Sequence, residues 1–138
     1  MQTQSPQASI FTFGYGNRKN YDQFLEYLQN HEIDCVVDVR HTPRAWTRKW
    51  YGQQIQNLCS EHDVEYYSEP ALGNTSGSKN WIPPNLAQAD QALQDLAKKI
   101  QSCRVLLLCS ELDHHKCHRT EVAEQLMKLT GSEIHHCC

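Results

Sequence analysis

Two stretches of this chain are apolar without alternation. Ile33-Asp34-Cys35-Val36-Val37-Asp38-Val39-Arg40 is β-branched through its centre, and Val105-Leu106-Leu107-Leu108 has no polar side chain at all. A strand with one face in water turns polar at every second residue, so such runs belong to strands covered on both faces, as in a parallel sheet between helical layers. The flanking segments supply the helices. Tyr21, Phe24, Leu25 and Leu28 recur at i, i+3, i+4 and i+7, with Asn20 placed to cap and Gln23 to reciprocate. Ile55, Leu58, Cys59 and His62 repeat that spacing. Pro83-Pro84-Asn85 announces a helix whose Leu86, Ala89, Leu93, Leu96, Ala97 and Ile100 line one face, and Val122, Ala123, Leu126 and Met127 mark a last helix stopped by Gly131.

Shorter strand signals fall at Ile10-Phe11-Thr12-Phe13, at Val64-Glu65-Tyr66-Tyr67 and at Ser132 to His136. Strands alternating with helices of this length pair in parallel through right-handed crossovers. The expected fold is therefore a three-layer α/β/α single domain, with a mostly parallel sheet of four to five strands over residues 10–138 and a flexible N-terminus at residues 1–9. The 138 residues suffice for one good core without structural metal or disulfides.

Charge narrows the partners. Thirteen Lys and Arg against sixteen Asp and Glu give a net charge of −3, which disfavours a globally basic nucleic-acid binder but permits a local basic patch. No run approaches the length of a membrane span, and MQTQSPQAS lacks a signal-peptide pattern, so a cytoplasmic protein with no membrane partner is expected. Seven cysteines, an odd and unevenly spaced set, read in a reducing compartment as buried thiols, ligands or nucleophiles and not as a disulfide framework.

The unusual chemistry sits after the strands. In a parallel sheet all carboxyl ends share one edge, which makes neighbours of the loops at Gly14–Asn20, His41–Tyr51, Ser68–Asn80 and Ser110–Cys117. Cys109 ends its strand opposite a helix start whose partial positive charge, with Arg119, favours thiolate; the alternative is an inert buried thiol. At 100° per residue, Arg119 shares the direction of the apolar face of the last helix, so its guanidinium points to the sheet edge. There it either neutralises Asp38, an odd carboxylate for a buried strand, or holds an anion. Gly14-Tyr15-Gly16-Asn17 reads either as a backbone cradle for an anion or as a tight turn. The stretch from His41 to Tyr51, with Arg44, Trp46, Arg48, Lys49 and Trp50, mixes cations and aromatics in a way suited to phosphate contacts and base stacking, or packs as a solvated loop. Cys109, His114, His115, Cys117 and His118, with His135, His136, Cys137 and Cys138, are residue types that suit zinc, but their spacing matches no standard ligand pattern and no metal set is assigned.

FTFGYGN, VVDVRHTPRAW, EYYSEPALGN and LLLCSELDHHKCHR, in that order, closely resemble the domain of unknown function 488 family from about Phe11 to the final strand. Carried across residue by residue, the family pattern falls on Gly14, Tyr15, Gly16, Asp38, Val39, Arg40, Pro43, Pro70, Leu72, Gly73, Cys109, Glu111, Cys117, His118 and Arg119. The resemblance implies a small cytosolic α/β domain and supplies no substrate. A weaker likeness is to rhodanese and cysteine-phosphatase domains, where a strand ending in cysteine leads to an arginine at a helix start. Nine residues separate Cys109 from Arg119, a longer loop than theirs, so the same tight ring of amides cannot form.

These readings converge on a thiol-dependent enzyme, a transferase or hydrolase, acting on a small anionic or nucleotide-like ligand. Cys109 is the expected nucleophile, with Cys117 as resolving or alternative thiol. Arg119 and the Gly14–Asn17 amides hold the anion, with Arg40, Arg44 and Trp46 as further ligand contacts. His118 shuttles a proton, and Glu111 or Asp38 orients His118 or Arg119. The rivals are a nucleic-acid-associated module and a zinc or other transition-metal protein; cofactor and oligomeric state are left open by the sequence.

Overall fold

The computed structural model describes residues 8–16, 18, 20–40, 48–76, 80–109 and 118–136. Five strands, β1 (Ala8–Gly14), β2 (Cys35–Asp38), β3 (Glu65–Ser68), β4 (Val105–Cys109) and β5 (Glu133–His136), form one sheet in the order β3-β2-β4-β1-β5. Every neighbouring pair is parallel. Four helices alternate with them: α1 (Asp22–Asn30), α2 (Gly52–Glu61), α3 (Leu86–Ile100) and α4 (Arg119–Thr130). The two unalternated runs are β2 and β4, side by side near the middle of the sheet and buried along their whole length.

The core has two halves, one on each side of the sheet. Phe24, Tyr27 and Leu28 of α1 and Ile55 and Cys59 of α2 pack with Phe11, Phe13, Val36, Leu106 and Leu108. On the opposite face Ala89, Leu93 and Leu96 of α3 and Val122, Ala123 and Leu126 of α4 pack with Cys35, Val37, Val105, Leu107 and Cys109. This is the expected three-layer α/β/α arrangement. The first two crossovers run toward the β3 edge over one face, and the last two run back toward β5 over the other. β4 therefore has on both sides a strand whose following helix crosses the opposite face, which is the topological switch where such sheets open a crevice.

Several local expectations shift. β1 begins at Ala8, two residues before the boundary drawn from the sequence. The helix after it starts at Asp22, and Asn20 accepts the Asp22 amide at 3.0 Å in a preceding turn without capping the helix. Gln23 instead accepts a hydrogen bond from Arg18. Leu86 lies in the first turn of α3 and is 77% exposed, because the helix has not yet come down onto the sheet. By contrast Asn85 caps α3 by accepting the Gln88 amide at 2.9 Å, and Gly131 ends α4 with φ +76°. Among the described residues no helix is long and apolar enough to cross a membrane.

Candidate functional site

The carboxyl end of β4 brings Cys109 and Arg119 together. Cys109 is paired with Gly14 of β1 in the sheet register, and its side chain faces the α3/α4 half of the core. Arg119, the first residue of α4, is completely buried and its Nη1 donates toward Cys109 Sγ at 3.9 Å. The helical wheel drawn from the sequence thus places the guanidinium well: it shares the face of Val122, Ala123 and Leu126, one turn earlier. Cys109 is itself disulfide-bonded. The sequence reading took the cysteines as buried thiols, ligands or nucleophiles and not as a disulfide framework; Cys35, Cys59 and Cys103 are free thiols. Burial pushes the Cys35 and Cys59 thiols up to about 12, so both stay protonated and inert at neutral pH.

His118 precedes α4 and is buried, with Nε2 at 2.9 Å from the Val39 carbonyl. Burial lowers its pKa, and this outweighs the Val39 and Leu72 carbonyls, which favour the protonated form. One of the two nitrogens a proton shuttle would use is therefore committed to the backbone, tying the start of α4 to the end of β2.

Asp38 stands elsewhere. Its strand neighbours Val37 and Val39 face α3 and α4, so alternation turns Asp38 to the α1/α2 side, opposite to Cys109. The sequence reading offered Arg119 as its partner, as one of two alternatives; the structure pairs it with Arg40. Arg40 Nε donates to Asp38 Oδ1 at 2.7 Å and Nη2 to Oδ2 at 2.5 Å, a bidentate pair of which both partners are buried. Tyr66 donates its hydroxyl to Asp38 Oδ2 at 2.6 Å. Burial works against the Arg40 charge, but the bonds to Asp38 outweigh it and hold the pKa above its ordinary value. Burial and the Asp38 charge push the Tyr66 hydroxyl up.

The same network absorbs residues expected to bind ligand. Arg40 Nη1 donates to the Trp50 carbonyl at 2.7 Å and to the Tyr15 hydroxyl at 3.3 Å. The Tyr15 ring stacks on Trp50 at 4.9 Å between centroids, nearly parallel to it, and the Tyr15 amide donates to the Cys109 carbonyl at 3.2 Å. That amide extends the sheet ladder and is not offered to an anion, as the cradle reading required. Gly14 belongs to the ladder and Gly16 turns the chain with φ +51°. Trp50, counted among the base-stacking candidates, is 1% exposed and donates Nε1 to the Arg18 carbonyl at 3.0 Å, so its ring is core. Asn17, Arg44, Trp46, Glu111, His114, His115, Cys117, Cys137 and Cys138 lie outside the described residues. Among the described residues no three His, Cys, Asp or Glu side chains gather as a metal would need.

Sequence reasoning missed Tyr66 and Trp50 as parts of this network. Tyr66 pairs with Val36 in the register, two residues before Asp38, and reaches the carboxylate diagonally across the strands. Only knowledge of strand order supplies that neighbour.

What results is a doubly wound α/β domain in which a cysteine and a buried arginine meet at the switch point, with a separate ion-pair network behind the sheet. The chain belongs to the family of the domain of unknown function DUF488, which matches residues 20–126, from just before α1 into α4. No curated protein and no solved structure matches it.

Proposed function

We propose that the protein is a thiol-dependent enzyme whose chemistry takes place at Cys109 and draws on the charge of Arg119. The observation that carries this reading is the buried guanidinium directed at Sγ, at the edge of the sheet where α/β folds bind ligands. A cation held against sulfur favours thiolate over thiol, and thiolate is the nucleophile. An anionic group on a substrate would meet the same charge.

The disulfide at Cys109 supports thiol–disulfide exchange as the form of this chemistry. In the reduced protein the Cys109 thiolate attacks a substrate disulfide, a mixed disulfide forms and one substrate thiolate leaves. A second protein thiol, for which Cys117 is the candidate, then attacks Cys109 Sγ, closes the internal disulfide and releases the other substrate thiolate. Two electrons pass from the protein dithiol to the substrate, and an external dithiol reductant restores the starting form. Asp38 and Arg40 serve this site by holding the β2 end that His118 grips, with no direct role in the reaction.

Equilibration with glutathione redox buffers, followed by mass spectrometry of Cys109, tests the reading. A functional couple is reduced while the protein stays folded, at a potential above about −300 mV. A disulfide that opens only on unfolding is a structural staple and refutes the proposal.

A further inference from the structure

The edge of the sheet formed by β3 carries chemistry that the thiol reading does not use. Among the described residues β3 pairs with β2 alone, so one side of its main chain is open. The Glu65 and Glu69 amides donate to the Asp34 and Asp38 carbonyls, and successive residues of a parallel strand turn their main-chain groups to alternate sides. The N–H and C=O groups of Tyr66 and Ser68 therefore point away from β2, and no bond among the described residues takes them up. We propose that this edge docks an extended peptide segment of a partner protein, which adds a strand to β3 and seats a lysine or arginine side chain between Glu69 and Asp95.

Two independent features carry this. The first is the open main chain, because a peptide that adds to a sheet edge draws affinity from such groups and specificity from pockets for its alternate side chains. The second is a pocket in the right place. Tyr67 pairs with Val37 of the α3/α4 half of the core, so alternate residues of an added strand also face α3. Between β3 and α3 opens a cavity of about 220 Å³, floored by Val37 and Leu96 and walled by Tyr67, Glu69, Asp95 and Lys99. Pockets that enclose a whole small molecule run to about 300–1,000 Å³, so this one suits a single side chain.

The charge of the pocket selects a base. Lys99 is matched by Glu65, with Nζ 3.0 Å from Oε1, and its ammonium lies 4.9 Å from the Tyr67 ring centre. Asp95 Oδ1 accepts a hydrogen bond from Gln91 at 3.0 Å, whereas the half-buried Glu69 carboxylate accepts none among the described residues. Glu69 and Asp95 thus leave two negative charges beside an apolar floor. Burial and the Asp95 charge raise the Glu69 pKa, a penalty that an incoming cation relieves. The methylene stem of a lysine or arginine packs on Leu96 and Tyr67 while its head meets the carboxylates. β3 is four residues long and carries the exposed Glu65, features that limit indiscriminate edge pairing and leave selection to the pocket.

Selection of a random peptide library displayed on phage against the full-length protein tests the site. Enriched peptides should alternate β-branched residues and carry one central lysine or arginine. Titration with the most enriched peptide, read by amide NMR, should shift Tyr66, Ser68 and the turn of α3 from Asp95 to Lys99. Glu69→Gln and Asp95→Asn should each weaken binding about ten-fold. Ser68→Pro removes an outward N–H at a sheet edge, where proline is tolerated, so it should abolish binding with an unchanged circular dichroism spectrum. Binding should survive in Cys109→Ser, which separates it from the thiol chemistry. A library that yields no binder, enriched peptides without a basic residue, or full affinity in Glu69→Gln and Ser68→Pro overturns the proposal. So does sedimentation showing a dimer of the chain that Ser68→Pro dissolves, because the edge then belongs to a second copy.

Discussion

Replacing Asp38 by Asn removes the charge that balances a buried guanidinium while leaving the volume almost unchanged. Arg40 is 6% exposed and loses an anion to which Nε and Nη2 both donate, and Tyr66 loses a charged acceptor. The Asn side chain offers one acceptor oxygen, and its amide group turns donors toward groups that are themselves donors. Removing one member of a buried pair costs about 3–5 kcal/mol, against a total domain stability of about 5–15 kcal/mol. With a urea m-value of about 1.5 kcal/mol/M, the unfolding midpoint should fall by about 2–3 M, read by circular dichroism with m unchanged. Asp38→Asn combined with Arg40→Met removes both charges, and should cost less than the two single changes added together. A single-variant loss under about 1 kcal/mol, or strict additivity, would refute the buried-pair reasoning.

Other outcomes follow from single residues. His118 is held neutral below its ordinary pKa of 6.5, so the unfolded chain binds its proton first; stability should be full above that value and fall as pH drops through it toward the lowered folded value. Urea midpoints across this range should show a shallower acid slope in His118→Gln, with His31, shifted the same way, supplying part of the remainder. Gly131→Ala meets no atom within 4 Å but must adopt φ +76°, so calorimetry should record a loss of about 1–2 kcal/mol from backbone strain alone. Leu107→Ala empties a fully buried position in the central strand and should cost about 2–5 kcal/mol in the same urea assay.

The sequence makes some of this legible for identifiable reasons. Unalternated apolar runs reveal β2 and β4 because burial on both faces leaves no room for polar residues, and the helical angle alone aims Arg119 inward. The Asp38–Arg40 pair was also within reach: residues two apart on a strand share a face, so the carboxylate had a cation beside it before any distant partner was needed. Other features depend on strand order and register, which no local pattern encodes. Alternation puts Asp38 and Cys109 on opposite faces only once Asp38 is known to pair with Leu108. Trp50 reads as a surface aromatic among cations until the Tyr15 ring and the Arg18 carbonyl close over it. The single cavity expected around Asp38, Cys109 and Arg119 thus divides into a sulfur site on one face and an ion-pair network on the other.

The central claim is that Arg119 acts on the Cys109 sulfur, and the pH dependence of Cys109 alkylation in reduced, folded protein tests it most directly. Mass spectrometry can assign the adduct, with Cys35 and Cys59 as unreactive internal controls. The midpoint should lie clearly below the ordinary cysteine value of about 8.5, and Arg119→Gln should raise it while the fold persists. A midpoint at or above that value, unmoved by the loss of the guanidinium, would contradict the account.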